Sequence, residues 1–397
     1  MVTASATPLR PAEQGTSARP RSLFMLDPLL MVAALGLVAC SLVTLHVAAR
    51  GQVPGPSFYV ERQALYAVGG LFLALVLSMI DYSRLREYKY VLYATMVVLD
   101  VVVLAMPPIQ NAHRWIPLPF LQFQSSEFGK ILLILALGAF LVDRARRLDQ
   151  WRTMLRIVLL ALLPALIVMA QPDLGTSLVY VVVGFTILFV VGTPWKQLAA
   201  LMAVALAGLV LVFAGPSFGV HVLKGYQQQR LTTFLNPTCR SHTQTCYQLN
   251  QSLIAIGSGE KTGRGTLGAT QTELNYLPAP STDFVFAALG ETYGFVGAAL
   301  VLSLYALLIW RALRILMMAK NLYGTVIAGG ILSMLMFQIF VNVGMTLGIM
   351  PTTGVPLPLM SYGGSSVLVT FIAVGLLQSI YVQGRMASAS KNRALIS

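Results

Sequence analysis

The chain has 397 residues, of which 56% are hydrophobic and 10% charged, against roughly 45–50% apolar and 25% charged in an ordinary soluble domain. That balance excludes both a single water-soluble globule and a disordered chain. The 27 Lys and Arg against 14 Asp and Glu give a net charge of +13, which in a soluble protein points to nucleic acid; here a membrane surface accounts for it, and no nucleic-acid partner is expected.

Residues 1–23, rich in Pro, Ser, Thr and Arg and without an apolar h-region, read as a disordered tail and not as a cleaved signal. Apolar runs follow at 27–48, 62–81, 89–107, 126–142, 154–170, 174–192, 197–215, 284–310, 323–346 and 365–383. A bilayer core of about 30 Å takes about 20 helical residues to cross, so the predicted fold is an all-α polytopic membrane protein of about ten transmembrane helices. Placing the N-terminus in the cytoplasm puts most Lys and Arg on the inner side, as the positive-inside rule requires. Both termini then face the cytoplasm. The membrane domain covers 24–385, residues 386–397 form a cytoplasmic tail, and a large outer loop, 216–282, joins the seventh and eighth spans.

In chain order, Cys40 in the first span reads as a small packed hydrophobe. Asp100 in the third span needs a basic or hydrogen-bonding partner at membrane depth, and Lys130 is the nearest candidate. Glu127 and Lys130, three residues apart near the outer end of the fourth span, share one helix face. A mutually neutralising structural pair and a functional site both stand as readings.

The outer loop carries Lys224, Arg230, Arg240, Lys261 and Arg264 against Glu260 and Glu273. Topology does not require these cations; a solvated loop touching headgroups and a site for a phosphate both account for them. Gly263, Gly265 and Gly268 spell G-x-G-x-x-G, but no strand precedes them, so they are no dinucleotide fingerprint. Flanked by Lys261 and Arg264, the stretch reads either as a flexible turn or as a backbone nest for phosphate. Cys239 and Cys246, on the oxidising side, are expected to form a disulfide. His46, His113, His221 and His242 are scattered, and no dedicated metal site is expected.

Pro278 and Pro280 end the loop, and Ser281, Thr282 and Asp283 precede the apolar run from Phe284 to Leu289. Helix capping explains this order; so does a reactive carboxylate where a polar loop re-enters the membrane. Glu291 raises the same question. Gly324 and Ala328, with Gly329 and Gly330 beside them, make a small-residue surface for a partner helix or for internal packing. From Asn342 to Ser366 dense Pro and Gly impose an irregular backbone, tolerable at membrane depth only where protein or water satisfies it. The hydroxyls of Ser361 and Ser365 there suit a polar pocket or turn chemistry equally.

The order and wording of several motifs resemble one family. They are Arg114-Trp115-Ile116, Gln124-Ser125-Ser126-Glu127 with Lys130, Gln171-Pro172-Asp173-Leu174-Gly175, Gln251-Ser252, Ala255-Ile256-Gly257-Ser258-Gly259, Leu277-Pro278, Thr282-Asp283-Phe284, Asn342-Val343-Gly344-Met345 and the run from Pro351 to Ser366. From first span to last the chain resembles the SEDS proteins, the RodA/FtsW group of bacterial cell-wall polymerases. The resemblance implies a peptidoglycan glycosyltransferase that polymerises lipid II at the outer membrane face. It further implies Asp283 as the essential carboxylate, Glu127 and Lys130 lining a central cavity, and a class B penicillin-binding protein, a single-span transpeptidase, as partner. The family usually has Pro, Glu and His where this chain has Ser125, Ala279 and Ser281.

Such chemistry has a physical rationale. Pyrophosphate leaves as a weakly basic anion, so no protonating acid is needed, unlike the two-carboxylate arrangement of glycoside hydrolases. Asp283 as general base on the acceptor hydroxyl, with Arg114, Arg230, Lys261 and Arg264 as candidate cations for the departing phosphates, would suffice. A Mg²⁺ ion carried in by those phosphates needs no protein cage. The competing expectation is a lipid II flippase that uses the same cavity without making bonds; inverted repeats, which many transporters show, are not apparent.

Overall fold

The computed structural model describes residues 25–107, 114–117, 122–214 and 244–396. A helix occupies each predicted apolar run: α1 (Pro28–Ala48), α2 (Pro56–Met79), α3 (Lys89–Leu104), α4 (Ser125–Val142), α5 (Trp151–Ala170), α6 (Leu174–Val190) and α7 (Trp195–Ala214). After α8 (Gln244–Ser258) and α9 (Thr270–Glu273), which lie within the 216–282 stretch, come α10 (Val285–Met317), α11 (Leu322–Thr346) and α12 (Gly364–Ile396). Seven are long and apolar enough to cross a membrane, and α6 and the first part of α7 are shorter apolar helices. The final helix continues to Ile396, through the segment expected as a tail.

Burial sorts the helices into a centre and a rim. Along their most apolar stretches α4 and α12 are 83% buried and α11 72%, whereas α2 is 33% and α10 28% buried. The exposed faces of the rim carry large apolar side chains such as Phe72, Leu159 and Phe295, as lipid-facing surfaces must, because hydrocarbon offers polar groups no partners.

One polar knot fixes helix ends that sequence distance keeps far apart. Asp27 Oδ1 accepts from the N–H groups of Leu29 and Leu30, and Pro28 starts α1. Asp27 Oδ2 accepts from Arg311 Nε of α10 at 2.9 Å. Gln378 of α12 accepts from the Asp27 N–H and donates to its carbonyl, at 2.8 and 2.9 Å. The carboxylate is fully buried and the guanidinium nearly so, so removing either partner would strand a buried charge at about 3–5 kcal/mol.

One open reading closes here and one expectation changes. The small-residue surface of α11 is turned inward: a Cβ on Gly324 would lie 2.6 Å from the Tyr82 hydroxyl, one on Gly330 2.8 Å from Ile134, and Ala328 is fully buried. That surface packs the chain's own helices and is not a seat for a partner helix. The fold is also not purely helical: β1 (Trp115–Pro117) and β2 (Gln122–Gln124) pair antiparallel, with Ile116 opposite Phe123. Strands of three residues are too short to show alternation. Ser365 attaches this hairpin to α12, its Oγ accepting from Gln124 N at 3.0 Å and donating to the Gln122 carbonyl at 2.9 Å.

Candidate functional site

Asp283 lies, partly exposed, in the turn leading into α10. The N-cap position falls on Phe284, whose side chain makes no capping hydrogen bond, and Asp283 stands one residue before it. The turn closes on the Ala279 carbonyl, which accepts from the N–H groups of Thr282 and Phe284 at 3.2 Å each. Its backbone is then held from several directions. Ser361 Oγ donates to the Thr282 carbonyl at 2.6 Å while accepting from Leu357 N at 2.9 Å. Tyr362 N donates to the Ser281 carbonyl at 2.8 Å, and Ser281 Oγ donates to Gln52 at 3.0 Å.

Asn342 of α11 completes the clamp. Its Nδ2 donates to the Asp283 carbonyl at 3.0 Å and to the Val355 carbonyl at 2.8 Å. The irregular run after α11 thus borders the carboxylate itself: Gly354 has φ +74°, and a Cβ there would lie 3.5 Å from Asp283 Oδ2. On the far side of the same run, a Cβ on Gly175 would lie 2.9 Å from the Thr353 carbonyl. Residues 353–355 therefore separate Asp283 from the start of α6.

Behind that start lies a second, buried polar cluster. Lys130 Nζ pairs with Glu127 Oε1 at 2.6 Å, with both side chains nearly fully buried. Asp173 Oδ1 caps α6 through Thr176 N at 3.2 Å, while its Oδ2 accepts from Gln124 Nε2 at 3.0 Å and Ser126 Oγ at 3.3 Å. Tyr180 donates its hydroxyl to the Ser126 carbonyl at 3.1 Å. Asp100 is fully buried, but its expected partner Lys130 is occupied by Glu127, and its carboxylate oxygens have no hydrogen-bond partner among the described residues. Gln171 reaches only its backbone carbonyl, at 2.6 Å.

The candidate cations are dispersed. Arg114 donates through Nε to the Gln171 carbonyl at 3.3 Å and through Nη2 to the Pro172 carbonyl, which places it on the α5–α6 turn beside the buried cluster. Lys261 and Arg264 are exposed, and Arg264 Nε donates to the Ser258 carbonyl at 3.0 Å. Arg230 lies outside the described residues. Ser361 and Ser365 are buried with their hydroxyls committed to backbone groups, so they brace the site from behind.

The glycine-rich stretch is neither a loose turn nor a nest. Arg264 N and Gly265 N donate to the carbonyls of Glu291 and Thr292 at 2.9 and 3.0 Å. Gly263, at φ +82°, comes so near α10 that a Cβ would lie 2.2 Å from the Thr292 carbonyl, where α10 itself breaks at Gly294. Those N–H groups are occupied by the broken helix. Glu291 finds its role here as well: its carboxylate accepts from Gln271 N at 2.8 Å, Thr272 N at 3.0 Å and Thr272 Oγ1 at 2.6 Å. Arg50 pairs with Glu273 at 2.8 Å, linking the α1–α2 connection to the loop. Cys246 is disulfide-bonded; its expected partner Cys239 lies outside the described residues, and Cys40 is free.

Sequence reasoning missed an aromatic group beside the Asp283 turn. Tyr59 and Tyr66 of α2 meet Tyr362 at ring-centroid distances of 4.8 and 6.5 Å, and Arg62 stacks over Phe58 at 4.4 Å. Isolated tyrosines in an apolar helix carry no signal of their own. Among the described residues no group of three or more His, Cys, Asp and Glu is placed to hold a metal.

Comparison with known proteins identifies the architecture. The family described as "Cell cycle protein", FtsW/RodA/SpoVE, matches residues 22–386. The peptidoglycan glycosyltransferase MrdB of Escherichia coli K12 is 37% identical over 366 residues, covering 92% of this chain and 96% of that protein. Stage V sporulation protein E of Bacillus subtilis is 35% identical, covering 89% and 96%. A solved chain from a peptidoglycan synthase complex superposes with a TM-score of 0.75 at 32% identity, covering 90% and 97%. The crystal structure of Thermus thermophilus RodA gives 0.64 at 29%, covering 90% and 96%. With a family match over nearly its whole length and apolar helices that traverse the bilayer, the chain belongs to the FtsW/RodA/SpoVE family and is a multi-pass protein of the bacterial inner membrane.

Proposed function

We propose that this protein is a peptidoglycan glycosyltransferase that polymerises lipid II at the outer face of the cytoplasmic membrane, with Asp283 as general base. The observation that carries this reading is the Asp283 turn: a partly exposed carboxylate on a backbone clamped by Asn342 and Ser361. A general base must hold its oxygen within hydrogen-bond reach of the proton it takes, and a backbone fixed by buried hydrogen bonds gives it one position. Homologues at this identity that are peptidoglycan glycosyltransferases support the reaction class.

In the step proposed, the 4-hydroxyl of an acceptor N-acetylglucosamine attacks the anomeric carbon of the lipid-linked strand. The bond from that carbon to the pyrophosphate oxygen breaks, Asp283 takes the hydroxyl proton, and polyprenyl pyrophosphate leaves. Arg114, at the hairpin, and Lys261 and Arg264, on the outer loop, are the cations assigned to the departing phosphates. The polyprenyl tail stays in hydrocarbon along the exposed apolar rim. The topology that suits this chemistry has ten spans, both termini in the cytoplasm and the 216–282 loop outside. The partner expected is a class B penicillin-binding protein, and the similarity to a chain from a peptidoglycan synthase complex that coordinates polymerization and crosslinking supports a crosslinking partner.

The test is glycan-strand electrophoresis of purified protein given lipid II, wild type beside Asp283→Asn. The folded Asn variant should make no strands. Strands of wild-type length and yield would remove Asp283 from the chemistry, and lipid II transfer between leaflets of sealed vesicles without pyrophosphate release would favour a flippase.

A further inference from the structure

The start of α3, the end of α4 and the α4–α5 connection, remote from Asp283, line an open cleft of about 800 Å³ that takes no part in the site above. Five cations line it, Arg86, Lys89, Arg144, Arg146 and Arg147, against one carboxylate, Asp143. Asp143 is committed already: its Oδ1 accepts from Arg86 Nε at 2.9 Å, and its Oδ2 pairs with Lys89. Arg144, Arg146 and Arg147, on and beside the short 3-10 turn Ala145–Arg147, have no acidic partner among the described residues. A positive-inside bias explains cations on this face of the membrane. It does not explain their convergence on a cavity.

What lies beside the cleft narrows its occupant. α5 begins four residues after Arg147 with Trp151, and Trp151, Leu155, Leu159 and Leu163 form an i, i+4 stripe, each 50–56% exposed. At 1.5 Å per residue this stripe descends about 18 Å from the cleft rim, the depth of one leaflet's acyl chains. Tyr90, 66% exposed at the start of α3, flanks the cleft, and amphipathic aromatics mark the headgroup level. The Tyr93 hydroxyl, donating to the Leu160 carbonyl at 3.0 Å, holds α3 and α5 together behind it. A free anion would use the cations and leave the stripe idle.

We propose that this cleft is a binding site for an anionic phospholipid of the inner leaflet, its phosphate held by Arg144, Arg146 and Arg147 and an acyl chain lying along Trp151–Leu163. The site rests on the inward placement of the α4–α5 connection and is independent of the reaction assigned to Asp283. Anionic lipid at the cytoplasmic surface attracts basic residues at about 1 kcal/mol each, so neutralising three should weaken binding on the order of a hundredfold.

The experiment is native mass spectrometry of the full-length protein released from nanodiscs of mixed phosphatidylglycerol and phosphatidylcholine. Wild type should retain phosphatidylglycerol selectively. The Arg144→Gln/Arg146→Gln/Arg147→Gln variant, which keeps the Arg86–Asp143–Lys89 clasp, should lose that selectivity, while Lys196→Gln/Lys320→Gln/Arg385→Gln keeps it. Equal loss in both would reduce the effect to bulk surface charge and overturn the site. Thermal stabilisation by millimolar inorganic phosphate equal to that by phosphatidylglycerol would make the ligand a free anion and overturn the lipid. Should the triple variant fail to fold, Arg147→Gln and Leu155→Ser singly read the same selectivity, and its retention in both would refute the proposal. Wild type that retains no phosphatidylglycerol selectively, while Asp283→Asn still abolishes polymerisation, would fail this site alone.

Discussion

Replacing Asn342 by Ala removes the one side chain that donates to the carbonyl of Asp283 and, at the same time, to that of Val355. Asn342 is fully buried, so water cannot easily take its place. Each carbonyl left short of a donor costs about 1–3 kcal/mol, and the two together put about 2–6 kcal/mol on the contact between α11, the 353–355 run and the Asp283 turn. Part of that appears as lowered melting temperature and part as displacement of the turn. A misplacement of about 1 Å at a reacting group costs about a hundredfold in rate. Initial rates of polyprenyl pyrophosphate release, measured across lipid II concentrations with the folded variant, should therefore show kcat down ten- to a hundredfold and KM nearly unchanged. Asn342→Asp, which sets a carboxylate against two carbonyl oxygens, should be slower still. An Ala variant with wild-type kcat, or one that loses only lipid II affinity, would refute the claim that this clamp positions the base.

Breaking the buried Glu127–Lys130 pair at one end, by Glu127→Gln or Lys130→Met, should cost about 3–5 kcal/mol, and the double variant should recover much of that melting temperature without recovering polymerisation. Full activity in the double variant would make the pair purely structural. Burial raises the Asp143 carboxyl, but the hydrogen bonds and charges of Lys89 and Arg86 outweigh it and hold the group below the ordinary carboxylate range. The clasp therefore contributes stability above the unfolded value of about 4, and this is lost as pH falls through the lower folded value. The melting-temperature difference between wild type and Asp143→Asn should be level near neutrality and shrink in acid; a difference independent of pH would contradict this. Alkylation of denatured protein without reductant should modify Cys40 and leave Cys239 and Cys246 unlabelled, and labelling of all three would remove the disulfide.

The helices were legible because each apolar run is long and its ends are polar, and the Glu127–Lys130 pair because i, i+3 residues share a helix face. What stayed hidden was long-range. Nothing in the sequence around Asp27 or Arg311 links the two, yet they meet across 284 residues of sequence. Asn342 could be marked as polar in an apolar setting, but nothing local says that its amide reaches Asp283. Small residues in α11 announce a close approach without saying whose helix approaches. The glycine-rich stretch announced unusual backbone; only its contact with α10 at Gly294 shows that the glycines serve packing. Capping and catalysis predict the same residue types before α10, so sequence alone leaves both readings of Asp283 standing.

The central claim is that Asp283 drives bond formation on the outer side. Sealed vesicles with uniformly oriented protein, supplied with lipid II only on the side of the 244–282 segment, give the most direct measurement: release of polyprenyl pyrophosphate matched to strand growth, wild type against Asp283→Asn. The account predicts one pyrophosphate for each disaccharide added by wild type and none by the variant. Release only when lipid II is supplied from the opposite side, or undiminished release by the variant, would contradict it.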